Sequence, residues 1–367
     1  MKKICHITTA HLRYDDRIYR KECCSLAKLY ETHLIVNDDG KDEVVDGVHI
    51  HSLNKPISKR VDRLKLLNVY LKVALKLDAD IYHLHDPELL LIAGKLCRYG
   101  KKVIFDSHED YFFQISNKTY LPIIFRRIIA WIYYKYETKV CKMIAAVIFP
   151  TTIDGKNPFK NRCKKFAYIN NYPVMVENGQ YRKYENREKV VCYTGGLSES
   201  RGISELIDAC DKCGARLILA GAFSSKKFEE KIRRKESFRC VDYRGWVSFE
   251  EVLKIYQEST VGASVLHDVG QYYRLGNLPT KVYEYFQQGL PVIVSDYPYA
   301  RECIKKYTFG YLVEPLNIND IAKAIDTICN DSEKAKRMGT MGYAAYENEF
   351  NWQCEEKKLF SLYSQII

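Results

Sequence analysis

Within the stretch from Arg274 to Asp296, Lys281 and Glu284 stand three residues apart at the start of a segment that reads as a short helix, from about Thr280 to Gln288. Gly289 stops that helix and a buried strand comes next, in the order Leu290-Pro291-Val292-Ile293-Val294-Ser295. A spacing of three puts the ammonium and the carboxylate on one helical face. There the carboxylate can accept two ribose hydroxyls while the ammonium meets phosphate; an exposed ion pair is the plainer alternative. A second segment, Tyr193-Thr194-Gly195-Gly196-Leu197-Ser198-Glu199-Ser200-Arg201-Gly202, leaves a strand, passes two glycines and enters a helix running through Cys210. Glycines allow close backbone approach, and a helix start offers unpaired amides and a positive dipole end, so a diphosphate fits this turn. Arg201 would add a bidentate cation, unless the segment is an ordinary turn carrying a surface arginine.

These residues need rigid elements behind them. Short apolar runs recur at Ile4 to Thr8, His33 to Val36, Ile81 to His85, Lys102 to Phe105, Val147 to Phe149 and Phe166 to Ile169, with helical patterns between them. The pattern restarts at Val190 to Tyr193, Arg216 to Ala220, Val261 to Leu266, Pro291 to Ser295 and Tyr311 to Val313. Strands alternating with helices predict right-handed crossovers and parallel sheets. The expected organisation is an α/β domain over 1–172, a linker over 173–189 that is poor in apolar anchors, and a second α/β domain over 190–345. A C-terminal helix over 346–367 is expected to cross back to the first domain. Ligands of open α/β sheets lie beyond the carboxyl ends of the strands, which places the expected function in a cleft between the two domains.

A chain of 367 residues is long enough for two hydrophobic cores. With 47% hydrophobic and 28% charged residues it falls in the ordinary globular range. Thirteen cysteines, an odd number in a long chain, predict reduced thiols rather than a disulfide framework. The beginning, Met1-Lys2-Lys3-Ile4-Cys5-His6, reaches polar residues too soon for a signal peptide, so a cytoplasmic protein is expected. The excess of 57 basic over 46 acidic residues, net +11, suits phosphorylated ligands or an anionic membrane. Neither zinc-finger spacing nor an RNA-binding aromatic signature is present, and nucleic acid is not an expected partner.

Taken together, His11-Leu12-Arg13-Tyr14-Asp15-Asp16-Arg17-Ile18, His83-Leu84-His85-Asp86, Asp106-Ser107-His108-Glu109 and the two segments described first resemble, in order and spacing, the retaining glycosyltransferases of family four. The resemblance spans nearly the whole chain. It implies a GT-B architecture of two facing Rossmann-like domains, retention at the anomeric carbon, and no metal or other cofactor. It assigns donor binding to Gly195, Gly196, Arg201, Arg274, Asn277, Lys281 and Glu284, with Glu284 on the donor ribose. His108 matches the active-site histidine, and His11, Asp16 and Arg17 fall on the acceptor side, where a structural ion pair is the alternative. The chain departs from the family pattern twice: Gly276 replaces the first glutamate of the paired motif, where Asn277 could substitute, and Gly196 replaces a cation, which Lys281 or Arg274 could supply.

The resemblance further implies a UDP- or GDP-sugar donor, a lipid-linked saccharide acceptor, and surface polysaccharide synthesis at the inner face of the cytoplasmic membrane. From Leu121 to Met143, Ile124, Phe125, Ile128, Ile129, Trp131 and Ile132 interleave with Arg126, Arg127, Lys135, Lys139 and Lys142. That is too charged for a span of about 20 apolar residues, and it suits peripheral adsorption to anionic lipid or a helix with one face in the core. Asp78-Ala79-Asp80 precedes its strand, the wrong end for a metal site, and Cys210 and Cys213 have no second cysteine pair to complete zinc ligation. A nucleotide-sugar epimerase and a non-catalytic nucleotide-sugar binding protein remain as rival readings. A nicotinamide dehydrogenase is disfavoured because no Gly-x-Gly-x-x-Gly follows the first strand.

Overall fold

The computed structural model describes residues 1–55, 62–117, 122–175 and 188–367. They divide into two compact units, Met1–Asn171 with Trp352–Ile367, and Tyr172–Asn351.

In the first unit, eight strands are β1 (Lys3–Ile7), β2 (Glu31–Val36), β3 (Glu43–Val45), β4 (Val48–Ser52), β5 (Ile81–Leu84), β6 (Lys102–Asp106), β7 (Ala146–Phe149) and β8 (Phe166–Tyr168). They lie in the order β3-β4-β2-β1-β5-β6-β7-β8, and every neighbour pair is parallel except β3 with β4. A helical segment opens with a π-helical turn at Ile18–Cys23 and continues as α1 (Cys24–Ala27). After it come α2 (Asp62–Leu77), α3 (Leu90–Arg98), α4 (Tyr111–Ser116) and α5 (Ile123–Met143).

Alternation along the strands gives one sheet face two chemistries. Ile4, Ile81, Ile104 and Ile148 share a buried face with Trp352, Leu359, Leu362, Tyr363 and Ile366, each burial contributing about 1.5–3 kcal/mol for an aliphatic side chain. Two residues further along three of these strands the same face turns polar: Ile4 gives way to His6, Ile81 to His83 and then His85, and Ile104 to Asp106. All four of these polar side chains are fully buried.

The second unit holds six parallel strands, β9 (Val190–Thr194), β10 (Arg216–Ala220), β11 (Val241–Gly245), β12 (Val261–Ser264), β13 (Val292–Ser295) and β14 (Gly310–Val313), in the order β11-β10-β9-β12-β13-β14. Reading outward from the first strand, both sheets reverse direction between their first strand and the strand that follows the first crossover back, as a Rossmann sheet does. The reversal falls between β1 and β5 in one unit and between β9 and β12 in the other. Helices α6 (Ile203–Lys212), α7 (Lys226–Arg233), α8 (Phe249–Glu258), α9 (Thr280–Gln287), α10 (Pro298–Tyr307), α11 (Ile318–Cys329) and α12 (Ser332–Asn348) cover the two faces.

The C-terminal helix, α13, is Trp352–Ile366 rather than 346–367. Asn351 ends α12 by donating its side-chain amide to the carbonyls of Tyr346 and Glu347 at 2.9 and 3.0 Å, so the chain restarts as a separate helix one residue later. Of the expected linker, residues 176–187 lie outside the described residues, as does Leu121 of the basic segment. Tyr172, read as the last residue of the first domain, packs against Tyr283 and Phe350 in the second unit. The hairpin β3–β4 and strand β11 add to the strands expected from sequence.

Candidate functional site

In the second unit, β9 runs into Gly195, whose φ of +122° suits glycine alone. A Cβ on Gly221 would lie 1.9 Å from the Gly195 carbonyl oxygen, so the two turns touch backbone to backbone. Beyond them Glu199–Arg201 form a 3-10 turn, and Gly202 at φ +66° begins α6.

Lys281 sits in the first turn of α9 and is 9% exposed. Its Nζ lies 3.4 Å from the centre of the Tyr193 ring and would be 3.3 Å from a Cβ on Gly195. Instead of pairing as an exposed ion pair, this ammonium makes no hydrogen bond or salt bridge among the described residues. Burial first, and then the charge of Arg201, hold its pKa well below the ordinary lysine value. Arg201 in turn donates to the Tyr272 hydroxyl at 3.0 Å, with its guanidinium 5.0 Å from that ring's centre. Two cations thus converge beside the Gly195-Gly196 turn, cushioned by tyrosine rings, with Glu284 acting on Lys281 as a charge but not through a hydrogen bond.

Glu284, one turn beyond Lys281, accepts from the Tyr256 hydroxyl at 2.6 Å. The Tyr256 hydroxyl also lies 2.6 Å from Thr194 Oγ1. Since tyrosine has one proton and gives it to the carboxylate, Thr194 donates to Tyr256. Burial and the Glu284 charge raise the Tyr256 pKa well above its usual value, which keeps that proton in place. Glu284 is thereby aimed from β9 through α8. Gly196 offers its carbonyl to Tyr193 at 3.0 Å, and a side chain there would meet open space. Arg274 ends the 3-10 turn that begins at Tyr272, and Asn277 offers its carbonyl to Tyr297 at 3.1 Å. Lys281, Arg201, Gly195 and Glu284 therefore share one neighbourhood, with Arg274 and Asn277 on the segment leading into α9.

In the first unit, His108 follows β6 and presents Nε2 to Asp106 Oδ2 at 3.1 Å. Its ring stands 5.0 Å from that of His11. His11 pairs with Asp15, not Asp16, at 3.0 Å. Burial lowers the His11 pKa, but the Asp15 hydrogen bond together with the charges of Asp86, Asp15 and Asp106 outweighs it, so the net shift is upward. Asp16 points outward and takes Lys21 at 2.5 Å. Arg17 is buried, with Nε and Nη2 on the two Asp106 oxygens at 2.8 and 3.0 Å and Nη1 on the Ile169 carbonyl. The structure thus gives Arg17 a structural ion pair, the alternative noted for it. Burial alone would raise the Asp106 pKa, but Arg17 and His108 hold it well below the carboxylate range. Burial pushes His85, 3.5 Å from Asp106, down to about 4.

The residues given no role of their own in the sequence reading are Tyr193, Tyr256 and Tyr272 as neighbours of the charged groups, and Glu22 and Asp15. The one sequence signal for this set is the density of histidine and carboxylate in runs that otherwise read as buried strands, His83-Leu84-His85-Asp86 among them. On α5 the aliphatics do not face the core: Ile124 is 71% and Trp131 57% exposed, while Ala130, Val140 and Cys141 are buried. Among the described residues, no helix is long and apolar enough to cross a membrane.

Comparison with known proteins agrees with this arrangement. Residues 17–154 match the family described as Glycosyltransferase Family 4, and residues 178–345 match Glycosyl transferases group 1. An uncharacterized glycosyltransferase of Methanocaldococcus jannaschii is 28% identical over 152 residues, a match that spans 40% of this chain and 37% of the relative. Among solved structures, sucrose-phosphate synthase from Thermosynechococcus elongatus superposes with a TM-score of 0.76 at 16% identity, covering 100% of this chain and 99% of that one. HepE of Anabaena, solved in complex with UDP-glucose, gives 0.70 at 15% identity with both chains fully covered. A glycosyltransferase from Rickettsia africae gives 0.69 at 14% identity, covering 100% and 98%. The two family matches together take in most of the chain, and the chain belongs to the family-four type of glycosyltransferases, built on the GT-B fold of two Rossmann-like domains.

Proposed function

We propose that this glycosyltransferase moves a hexose or N-acetylhexosamine from a UDP- or GDP-sugar to a saccharide acceptor, with retention of anomeric configuration and without a divalent metal. The observation that carries the donor assignment is Lys281, a buried ammonium beside a glycine turn and a second cation, with no hydrogen-bonded or ion-paired carboxylate among the described residues. A diphosphate supplies the missing negative charge, and the two cations balance the charge that develops on it as it departs. Glu284, oriented by Tyr256, takes the ribose hydroxyls; Gly195 and Gly196 let the backbone approach; Arg274 and Asn277 contact the donor from the segment before α9. Of the two nucleotides UDP is favoured, because HepE was solved with UDP-glucose.

In the proposed transfer the acceptor hydroxyl attacks the anomeric carbon from the face the diphosphate leaves. The bond from that carbon to the diphosphate oxygen breaks, the new glycosidic bond forms, and the hydroxyl proton passes to the departing phosphate. His108 hydrogen-bonds the transferred sugar, and His11 and Asp16 lie on the acceptor side. The lipid-linked acceptor, surface polysaccharide synthesis and peripheral contact at the inner face of the cytoplasmic membrane belong to the same proposal. The exposed apolar and basic side chains of α5 support the membrane contact.

The test is incubation with UDP-glucose, UDP-N-acetylglucosamine and a GDP-sugar in EDTA, with and without saccharide acceptors, reading nucleotide release and product configuration. Acceptor-dependent release with retention is expected. Activity lost in EDTA and restored by Mg2+ or Mn2+ overturns the metal-free mechanism. A new free nucleotide-sugar formed without acceptor identifies an epimerase, and binding without turnover identifies a binding protein.

A further inference from the structure

We propose that His6, His83, His85 and Glu22 form a buried coordination site for a single transition-metal ion of the zinc class. His6 and His83 are register partners on the adjacent parallel strands β1 and β5, and His85 lies two residues beyond His83 on the same face. Their ring centres are 4.6, 5.1 and 4.5 Å apart. Glu22 descends onto them from the π-helical turn Ile18–Cys23, an irregularity often found at functional positions. One nitrogen from each ring and one Glu22 oxygen lie within 4.8 Å of one another.

Tetrahedral zinc at about 2.0–2.2 Å from its nitrogen and oxygen ligands sets those ligands roughly 3.3–3.6 Å apart. Here His6 Nδ1 and His85 Nε2 share a hydrogen bond at 2.9 Å that the ion would replace, and Glu22 Oε2 is 3.8 Å from His83 Nδ1 and 4.0 Å from His85 Nε2, distances that bracket the required spacing. All four side chains are fully buried. Of the eight buried side-chain atoms left without a hydrogen bond among the described residues, two are the Glu22 oxygens; the Nε2 atoms of His6 and His83, also without a partner, are the ring nitrogens that do not face His85 and Glu22. Arg17 Nε gives its hydrogen to Asp106 and stands only as a charge 3.1 Å from Glu22 Oε1, which leaves Oε2 to the histidines. Buried polar atoms are normally satisfied, and a cation bound by Glu22 Oε2 would satisfy the buried carboxylate. An outer partner that orients a ligating imidazole is also present, with Asp106 3.5 Å from His85 Nδ1; at His83 the ion would replace the Tyr363 hydroxyl, 2.9 Å from Nδ1. The overlapping group His85, Asp106 and His108 is the weaker centre, because Arg17 already occupies both Asp106 oxygens.

The ion has no part in the sugar transfer proposed above, and its test does not read activity. Untagged protein, dialysed after exposure to excess Zn2+, should retain about one zinc per chain by elemental analysis. Cobalt in its place should give the intense visible absorption of a tetrahedral site. Glu22→Gln and His83→Gln should lose the ion, whereas His51→Gln, in the half-buried histidine row His33, His49 and His51 on β2 and β4, should keep it. Should a ligand variant fail to fold, zinc retention and the cobalt spectrum of the wild type still decide. Wild-type protein that retains no zinc, or shows an octahedral cobalt spectrum, overturns the proposal. So does full retention by Glu22→Gln and His83→Gln, and so does loss in His51→Gln, which would move binding to the other row.

Discussion

The two units share one strand arrangement and use it in opposite ways. At the carboxyl ends of β1, β5 and β6 the first unit gathers charge that it neutralises internally: Arg17 on Asp106, His108 on Asp106, His11 on Asp15. At the corresponding ends of β9 and β12 the second unit leaves Lys281 and Arg201 beside one another, with aromatic rings and a hydroxyl as direct contacts and no hydrogen-bonded carboxylate on either among the described residues, Glu284 acting on Lys281 only as a charge. A fold that balances its own buried charge has stabilised a scaffold. One that leaves a buried cation unbalanced has accepted instability that only a ligand removes.

That contrast can be broken most forcefully at Arg17. Replacing it with Met strands the Asp106 carboxylate in the interior, and a loss of about 3–5 kcal/mol is expected in urea unfolding of the first unit, with UDP affinity unchanged. Equal losses in both would show that the units do not divide these tasks. Lys281→Met should act in the opposite sense. It removes a desolvated charge and should raise the melting temperature by about 2–4 °C, while costing roughly 1.5–3 kcal/mol of UDP binding, seen by calorimetry. If the variant is less stable, Lys281 is structural.

The same residue carries a pH dependence. Because its pKa is depressed in the folded chain, the unfolded chain binds more protons between that value and the ordinary lysine pKa, so this group's contribution to stability rises with pH across the window. Diphosphate favours the ammonium, so UDP binding should take up a proton there and weaken as pH climbs. Calorimetry in buffers of different ionisation heat reads that proton directly, and no uptake would remove Lys281 from the phosphate.

Glu284→Ala should cost about 1–3 kcal/mol of nucleotide binding, with a smaller loss for ribose-lacking pyrophosphate; equal losses would take Glu284 off the ribose. The smallest effect is expected outside both sites. Arg127→Gln on α5 should weaken binding to anionic vesicles by about 1 kcal/mol at low salt, fading as salt screens the surface. Wild-type protein that ignores such vesicles would end the membrane proposal.

Sequence alone carried the second site further than the first. The glycine turn and the three-residue spacing of Lys281 and Glu284 are local features, readable wherever a strand meets a helix. Tyr256 reaches Glu284 from another helix, and Arg17 reaches Asp106 across 89 positions; no local pattern announces either. The strands that periodicity revealed are the predominantly apolar ones. Strand β11, Val241-Asp242-Tyr243-Arg244-Gly245, mixes in charge and sits at a sheet edge. The β3–β4 hairpin did leave a signal, the pair Asp46-Gly47 with both φ values positive, which is the Asp-Gly turn favoured between antiparallel strands.

Helix α13 has a consequence in time as well as in space. Trp352 donates its indole N–H to Ser25 at 2.9 Å, and Tyr363 reaches His83, so the sheet face of the first unit is covered by residues made after the whole of the second. During synthesis the earlier strands emerge with Ile4, Ile81 and Ile104 uncovered and wait while Tyr172–Asn351 are added. Contacts so distant in sequence form slowly, and apolar surface exposed meanwhile invites aggregation. The unit that begins the chain is therefore the last to be completed, and its need for chaperones should be greatest while its neighbour is already folded.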